Sequence, residues 1–125
     1  MDRSLFVLGA LFGLLGVAAG AFGAHGLKTR LDAEMMQVYE TAVRYHLVHA
    51  LAILISSLAT IRYSQTPAYL AGALFIVGIL IFSGSLYALC LTGLRWLGAI
   101  TPIGGLAFLI GWACLIWAGM SARSG

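Results

Sequence analysis

Residues 63–94 read YSQTPAYLAGALFIVGILIFSGSLYALCLTGL and contain no Asp, Glu, Lys or Arg. The hydrocarbon core of a bilayer is about 30 Å thick, and a helix needs roughly 20 apolar residues to cross it. The stretch opens with Thr66-Pro67, a capping residue followed by proline, which is typical of a helix start. It therefore predicts a transmembrane helix over about residues 67–92.

Three further windows lack charged residues, at 4–27, 45–61 and 96–122. They predict spans over about residues 5–24, 45–61 and 102–120, the last opening with Thr101-Pro102. The first window is longer than the core of a typical signal peptide, so we interpret it as a retained span. No series of alternating segments of about ten residues, typical of a membrane barrel, is present. The predicted fold class is all-α, a four-transmembrane-helix bundle in one integral membrane domain covering residues 1–125.

The second span has an amphipathic helical segment leading into it, over about residues 33–44. Asp32 is placed to cap this helix, and apolar residues follow at steps of four and three. They are Leu31, Met35, Val38, Ala42 and Tyr45. A helix over residues 33–61 would be about 44 Å long at 1.5 Å per residue. Its first half must therefore lie along the membrane surface, protrude or bend.

Composition excludes most classes of soluble protein. Hydrophobic residues make up 62% of the chain and charged residues 9%, whereas soluble domains carry roughly 25% charged residues. The seven Lys and Arg residues form no cluster, so we expect no nucleic-acid partner. Four spans place both termini on the same side of the membrane, and the distribution of basic residues does not decide which side that is.

Small residues form a stripe on two of the spans. In lipid, helices associate through close backbone contact at such residues. The stripes predict tight packing with a neighbour in the same chain or in another copy. Besides membrane lipids, the expected partners are thus a membrane protein or a homo-oligomer formed through these glycine stripes. The stripe residues are Gly9, Gly13, Gly16, Gly20 and Gly23, then Gly104, Ala107, Gly111, Cys114 and Ala118.

Three histidines are the residues best able to carry chemistry. His25 ends the first span, and His46 and His49 open the second, one turn apart. Together they could ligate a metal or haem. No Cys or carboxylate stands at ligand spacing, so we expect no metal and no cofactor. In the alternative interpretation His49 donates a hydrogen bond inside the bundle, while His25 and His46 lie in the wet interface.

Other polar residues admit two interpretations each. Ser83 and Tyr87 lie one turn apart and could form hydrogen bonds between helices or line a polar cavity. Glu40 and Arg44 form an i,i+4 acid–base pair that stabilises a helix, and that could also hold a lipid headgroup.

The sequence carries no phosphate loop, serine elbow, carboxylate pair or zinc signature. We therefore expect no enzymatic activity and no catalytic residue. The expected role is a non-catalytic bundle that packs with membrane partners or holds a lipid or apolar ligand. Two alternatives are a small-solute channel or transporter subunit, and a histidine-ligated metal, haem or quinone-binding protein.

Several strings together resemble one known family. They are residues 20–25 (GAFGAH), Tyr45 with residues 49–54 (HALAIL), residues 82–87 (FSGSLY), and residues 101–105 (TPIGG) followed by Gly111-Trp112. This set is similar to the small bacterial inner-membrane family of YgdD and YwdK, a domain of unknown function (number 423). Vertebrate transmembrane protein 256 is a relative of that family.

The resemblance covers nearly the whole chain, in order. It implies four transmembrane helices in a bacterial inner membrane, with no established activity. Basic C-terminal tails in relatives would place both termini in the cytoplasm, although here only Arg123 remains. His46 stands where the family pattern does not require histidine.

The motif positions supply a candidate ligand-binding polar cluster. Its members are predicted to converge towards helix ends if the spans surround one point. They are His25, His49, Ser83, Ser85, Tyr87 and Thr101.

Overall fold

The computed structural model describes residues 2–121, so Arg123 lies outside the described residues. In this part of the chain four long helical stretches are each long and apolar enough to cross a membrane, and there is no strand. The all-α, four-transmembrane-helix prediction is confirmed. The elements are α1 (Arg3–Phe22) with a π-helical turn (Gly23–Leu27), α2 (Ala33–Arg62), α3 (Gln65–Gly78), a π-helical turn (Ile79–Ser83), α4 (Gly84–Thr92), a 3₁₀ turn (Arg95–Ala99) and α5 (Thr101–Met120).

Helix α2 runs through the amphipathic segment and the second span without a break. Asp32 caps it, as predicted, by accepting a hydrogen bond of 2.8 Å from the Met35 backbone N–H. Its 30 residues extend about 45 Å, so its first turns protrude beyond a hydrocarbon core of about 30 Å. The apolar face of these turns packs on α4 and the 3₁₀ turn. The residues in that contact include Met35, Val38, Ala42, Leu86, Leu89 and Leu97.

The starts of the last two spans differ slightly from the sequence expectation. Helix α3 begins at Gln65, because the Ser64 carbonyl already accepts from the Ala68 N–H, so Thr66 is inside the helix and is not its cap. Helix α5 begins at Thr101 itself, with Pro102 in its first turn. Gly93, with a φ of 74°, ends α4 in the left-handed region that glycine favours.

Both small-residue stripes pack inside this chain. On α1, Gly9, Gly16 and Gly23 are buried, and a methyl group on any of them would overlap α2 side chains. On α5, a methyl group on Gly104 would overlap the backbone of Phe82, and Gly111 faces the ring of Phe75. The prediction of tight helix packing is confirmed. The buried positions of these stripes are covered by the chain's own helices, whereas a Cβ on Gly13 would meet open space.

The helices therefore follow one another across the molecule. Helix α1 packs on α2, α2 on α3, and α3 on α5. The main apolar core lies where these contacts meet, around the fully buried Phe75 and Ile53. The outer faces of α1 and α5 remain exposed to the surrounding lipid.

Candidate functional site

His46 and His49 lie halfway along α2. His49 is the seventeenth of the 30 helical residues, about 24 Å from its start at 1.5 Å per residue. The two side chains are only 6% and 4% exposed. His46 is therefore buried inside the bundle, and the expectation that it lies in the wet interface is wrong. The reason is that α1, α4 and α5 pack over this part of α2 and contact the two histidines.

His46 links three helices. One ring nitrogen, Nε2, lies 2.8 Å from the Phe12 carbonyl oxygen of α1. The other, Nδ1, lies 2.8 Å from the Tyr87 hydroxyl of α4. A carbonyl oxygen can only accept, so Nε2 carries the proton and the Tyr87 hydroxyl donates to Nδ1. Tyr87 also packs its ring against Tyr39, whose hydroxyl donates to the Ala19 carbonyl of α1 at 2.6 Å.

His49 links α2 to α5. Its Nδ1 lies 2.8 Å from the Tyr45 carbonyl oxygen, and the Trp112 Nε1–H donates to its Nε2 at 3.0 Å. The proton of His49 is thus on Nδ1, opposite to His46. Both rings are neutral in this arrangement, since each one accepts a hydrogen bond at its other nitrogen.

The remaining predicted residues form separate contacts. The Ser83 hydroxyl donates to the Ala42 carbonyl of α2 at 2.8 Å. The Ser85 and Thr101 hydroxyls lie 2.6 Å apart and join α4 to α5. His25 is exposed in the π-helical turn that follows α1. Within residues 2–121, hydrogen bonds connect only Ser85 with Thr101 among the six predicted residues, and no one point collects them all.

These contacts bear on a metal or haem site. All four ring nitrogens of His46 and His49 are used in protein hydrogen bonds, so none offers a free lone pair. Within the described residues, no group of three or more His, Cys, Asp or Glu side chains is arranged to hold a metal ion. The residues present do not fit such a group in this arrangement.

An aromatic groove lies beside His49, between α2 and α5. The rings of Tyr45, His49 and Phe108 are nearly parallel, with interplanar angles of 7° to 16°. His49 stacks on Phe108 with ring centroids 3.6 Å apart. The groove has a volume of about 490 Å³. Its lining residues are Tyr45, His49, Phe82, Pro102, Gly105, Leu106, Phe108, Leu109 and Trp112.

The groove opens towards lipid, because Leu106 and Leu109 on its rim are exposed. Most of its wall is apolar, and the polar atoms of the His49 and Trp112 rings are paired with each other. The Tyr45 hydroxyl differs, since it makes no hydrogen bond to any residue of the described chain. It leaves one donor available at the edge of an aromatic surface.

Comparison with known proteins gives one consistent result. The family model "Protein of unknown function (DUF423)" matches residues 19–105. The chain belongs to this family. A UPF0382 membrane protein of Staphylococcus haemolyticus is 48% identical over 91% of this chain and 93% of its own length. YwdK of Bacillus subtilis, named a UPF0382 membrane protein, is 44% identical over 91% of this chain and 94% of its own length. A UPF0382 membrane protein of Haemophilus influenzae is 40% identical over 99% of each chain.

Membership of the DUF423 family establishes an integral membrane protein of unknown function and confirms the resemblance seen in the sequence. No solved structure matches the chain. The matched segment includes both buried histidines and ends before Phe108 and Trp112, which complete the aromatic groove.

Two residues that take part in these contacts, His46 and Trp112, are absent from the candidate cluster predicted from the sequence. His46 was left out because the family pattern does not require histidine there, yet it bridges α1 and α4. Trp112 was not assigned to the site, yet it donates to His49. The signal that could have included His46 was its own spacing, since it lies one turn from His49 on the same helix.

Proposed function

We propose that this protein is a non-catalytic membrane bundle that binds an apolar, ring-bearing ligand of the quinone class in the aromatic groove. The observation that carries this proposal is the set of nearly parallel rings of Tyr45, His49 and Phe108 beside an open volume of about 490 Å³. Aromatic faces prefer offset stacking with other planar rings. Ligand sites are typically apolar cavities of 300–1,000 Å³ with a few polar groups.

The polar groups suit a ligand with a carbonyl oxygen. The Tyr45 hydroxyl can donate one hydrogen bond at the groove edge, while the apolar rim at Leu106 and Leu109 accommodates a hydrocarbon tail. His49 has both ring nitrogens engaged, so its role is to hold the ring stack in place. No carboxylate lines the groove, which supports binding over acid–base chemistry.

The channel alternative has less support. Buried polar side chains along the interior are hydrogen-bonded to protein groups throughout the described residues. A water-filled path would need polar groups free to bind water or solute.

We also propose that the protein lies in the bacterial inner membrane with both termini in the cytoplasm. The relatives are bacterial proteins named as membrane proteins, which supports a location in a bacterial membrane. The hydrophobic spans are even in number, so the start of α1 and the end of α5 lie on the same side of the membrane.

A fluorescence titration tests the ligand proposal. In a Trp96→Phe, Trp117→Phe background, Trp112 is the single tryptophan. With the protein in nanodiscs, a short-tailed benzoquinone is expected to quench the fluorescence of Trp112, and the quenching should saturate as quinone is added. Gly105→Leu should abolish saturation, since a Cβ at Gly105 has room and a leucine there would fill the groove.

Gly119→Leu is the matched control, because it places the same side chain on α5 in open space outside the groove. It should leave the saturable quenching intact. Quenching that rises linearly with quinone in every variant reports membrane partitioning alone and contradicts the proposal.

A further inference from the structure

A second groove follows the seam between α1 and α2, on a side of α2 that does not face α5. Its deeper section has a volume of about 400 Å³ and is lined only by apolar residues. A second section of about 220 Å³ continues it towards the protruding start of α2. The deep section is lined by Gly9, Gly13 and Val17 of α1 and by Leu47, Leu51 and Leu54 of α2.

The two sections lie on one face. On α2 the lining residues Leu54, Leu51, Leu47, Arg44 and Glu40 recur at steps of three and four, which is the repeat of one helical face. The two sections therefore lie in line along the seam, and their lining changes from apolar to charged in one direction.

Glu40 and Arg44 form the charged end. Both line the outer section and both are exposed. The i,i+4 ion pair expected from the sequence is not formed among the described residues, where the ion pair present joins Arg95 to Glu34 at 3.5 Å. The section thus carries one positive and one negative side chain one turn apart, each exposed and able to contact a ligand.

The distances match one leaflet of a bilayer. Arg44 precedes Leu54 by ten residues, or about 15 Å of helix. This equals half of the roughly 30 Å hydrocarbon thickness. Arg44 also borders the charge-free stretch 45–61, which is the predicted span, so we expect its guanidinium at the level of the lipid phosphates. Glu40 lies one turn farther out.

We infer that this seam binds one zwitterionic phospholipid with an amine headgroup, a phosphatidylethanolamine. An acyl chain occupies the apolar section, Arg44 binds the phosphate, and Glu40 binds the ammonium group. The order of the two charges along the seam selects this headgroup. Arg44 lies nearer the apolar section than Glu40, and in this lipid the phosphate lies nearer the glycerol than the ammonium group does. Arginine is suited to phosphate through its planar fork of donors. An anionic lipid without an amine would meet repulsion from Glu40.

Native mass spectrometry tests this inference, using protein released from nanodiscs of equal phosphatidylethanolamine and phosphatidylglycerol. The wild type is expected to retain one phosphatidylethanolamine, about fivefold over phosphatidylglycerol, as an exposed charge pair worth about 1 kcal/mol gives. Glu40→Gln should bring the ratio close to one, and Arg44→Gln should lower the retention of both lipids about fivefold.

Gly13→Leu should also abolish retention, because its Cβ meets open space in the apolar section and leucine would fill it. Gly119→Leu, in open space on α5, is its matched control and should retain the lipid. Equal retention of the two lipids by the wild type, or unchanged retention in Gly13→Leu, would overturn the inference. A second copy of the chain bound in place of lipid would overturn it as well.

Discussion

At the scale of single residues, the two buried histidines hold opposite neutral tautomers because each faces one carbonyl oxygen. His46 donates from Nε2 to Phe12, and His49 donates from Nδ1 to Tyr45. We expect ¹⁵N NMR of the protein in lipid at neutral pH to show one proton on Nε2 of His46 and one on Nδ1 of His49. The same tautomer in both rings, or a doubly protonated ring, would contradict these hydrogen bonds.

The Tyr87 hydroxyl stabilises the bundle through its hydrogen bond to His46. Tyr87→Phe removes that donor and leaves Nδ1 of a buried histidine unpaired. The free energy of unfolding in mixed micelles should fall by about 1 kcal/mol, within the range measured for interhelical hydrogen bonds in membranes. Tyr69→Phe is the control, since Tyr69 is exposed and its hydroxyl makes no hydrogen bond within residues 2–121. Equal stability of the two variants would show that the hydrogen bond between Tyr87 and His46 does not stabilise the bundle.

The sequence predicts which polar residues lie in or near the spans better than it predicts which of them contact one another. The sequence identified Ser83, Ser85, Tyr87, Thr101 and His49 as polar groups in or near spans. Which of them meet depends on helix rotation and depth, which a single charge-free window does not specify. The sequence predicted one continuous helix through Tyr45, and α2 has that form, but the pattern of charges does not show which helices pack against it. Packing against α1, α4 and α5, and not the position of the helix start, buries His46 and His49 inside the bundle.

At the scale of helices, close contact depends on glycines whose neighbours cannot move. A methyl group at Gly104 would overlap the Phe82 backbone in the π-helical turn. We expect Gly104→Ala to lower the free energy of unfolding by about 1–3 kcal/mol, the usual cost of overpacking. The same unfolding titration measures it.

The control on the same helix is Gly119→Ala, where an added methyl group meets open space. It should leave stability unchanged or raise it slightly, since alanine favours helix over glycine. If Gly104→Ala proves as stable as Gly119→Ala, the α5 contact with the π-helical turn is not as close as described.

The helical elements themselves were predictable in number and type, because charge-free length is a direct consequence of bilayer thickness. The two π-helical turns were not. Each adds a residue to one turn, and only the packing of that turn on a neighbouring helix favours it. One of them, Ile79–Ser83, carries Phe82 into the aromatic groove.

At the scale of the whole molecule, the four spans place the α2–α3 turn beside both chain ends and the other two connections on the opposite side. In a Cys90→Ala, Cys114→Ala background, we expect Ser64→Cys and Ser121→Cys to react with a membrane-impermeant thiol reagent from one side only. Lys28→Cys and Leu94→Cys should react from the other side. Labelling of Ser64→Cys and Lys28→Cys from the same side would contradict the four-span arrangement.

In our proposal the aromatic groove holds an apolar ring-bearing ligand in the native membrane. Its most direct test is native mass spectrometry of the wild type, Gly105→Leu and Gly119→Leu, each released in mild detergent from the cells that express it. We predict a bound small molecule with ring absorbance in the wild type and Gly119→Leu that is missing from Gly105→Leu. A bare chain in all three samples, or the same bound mass in Gly105→Leu, would contradict the claim.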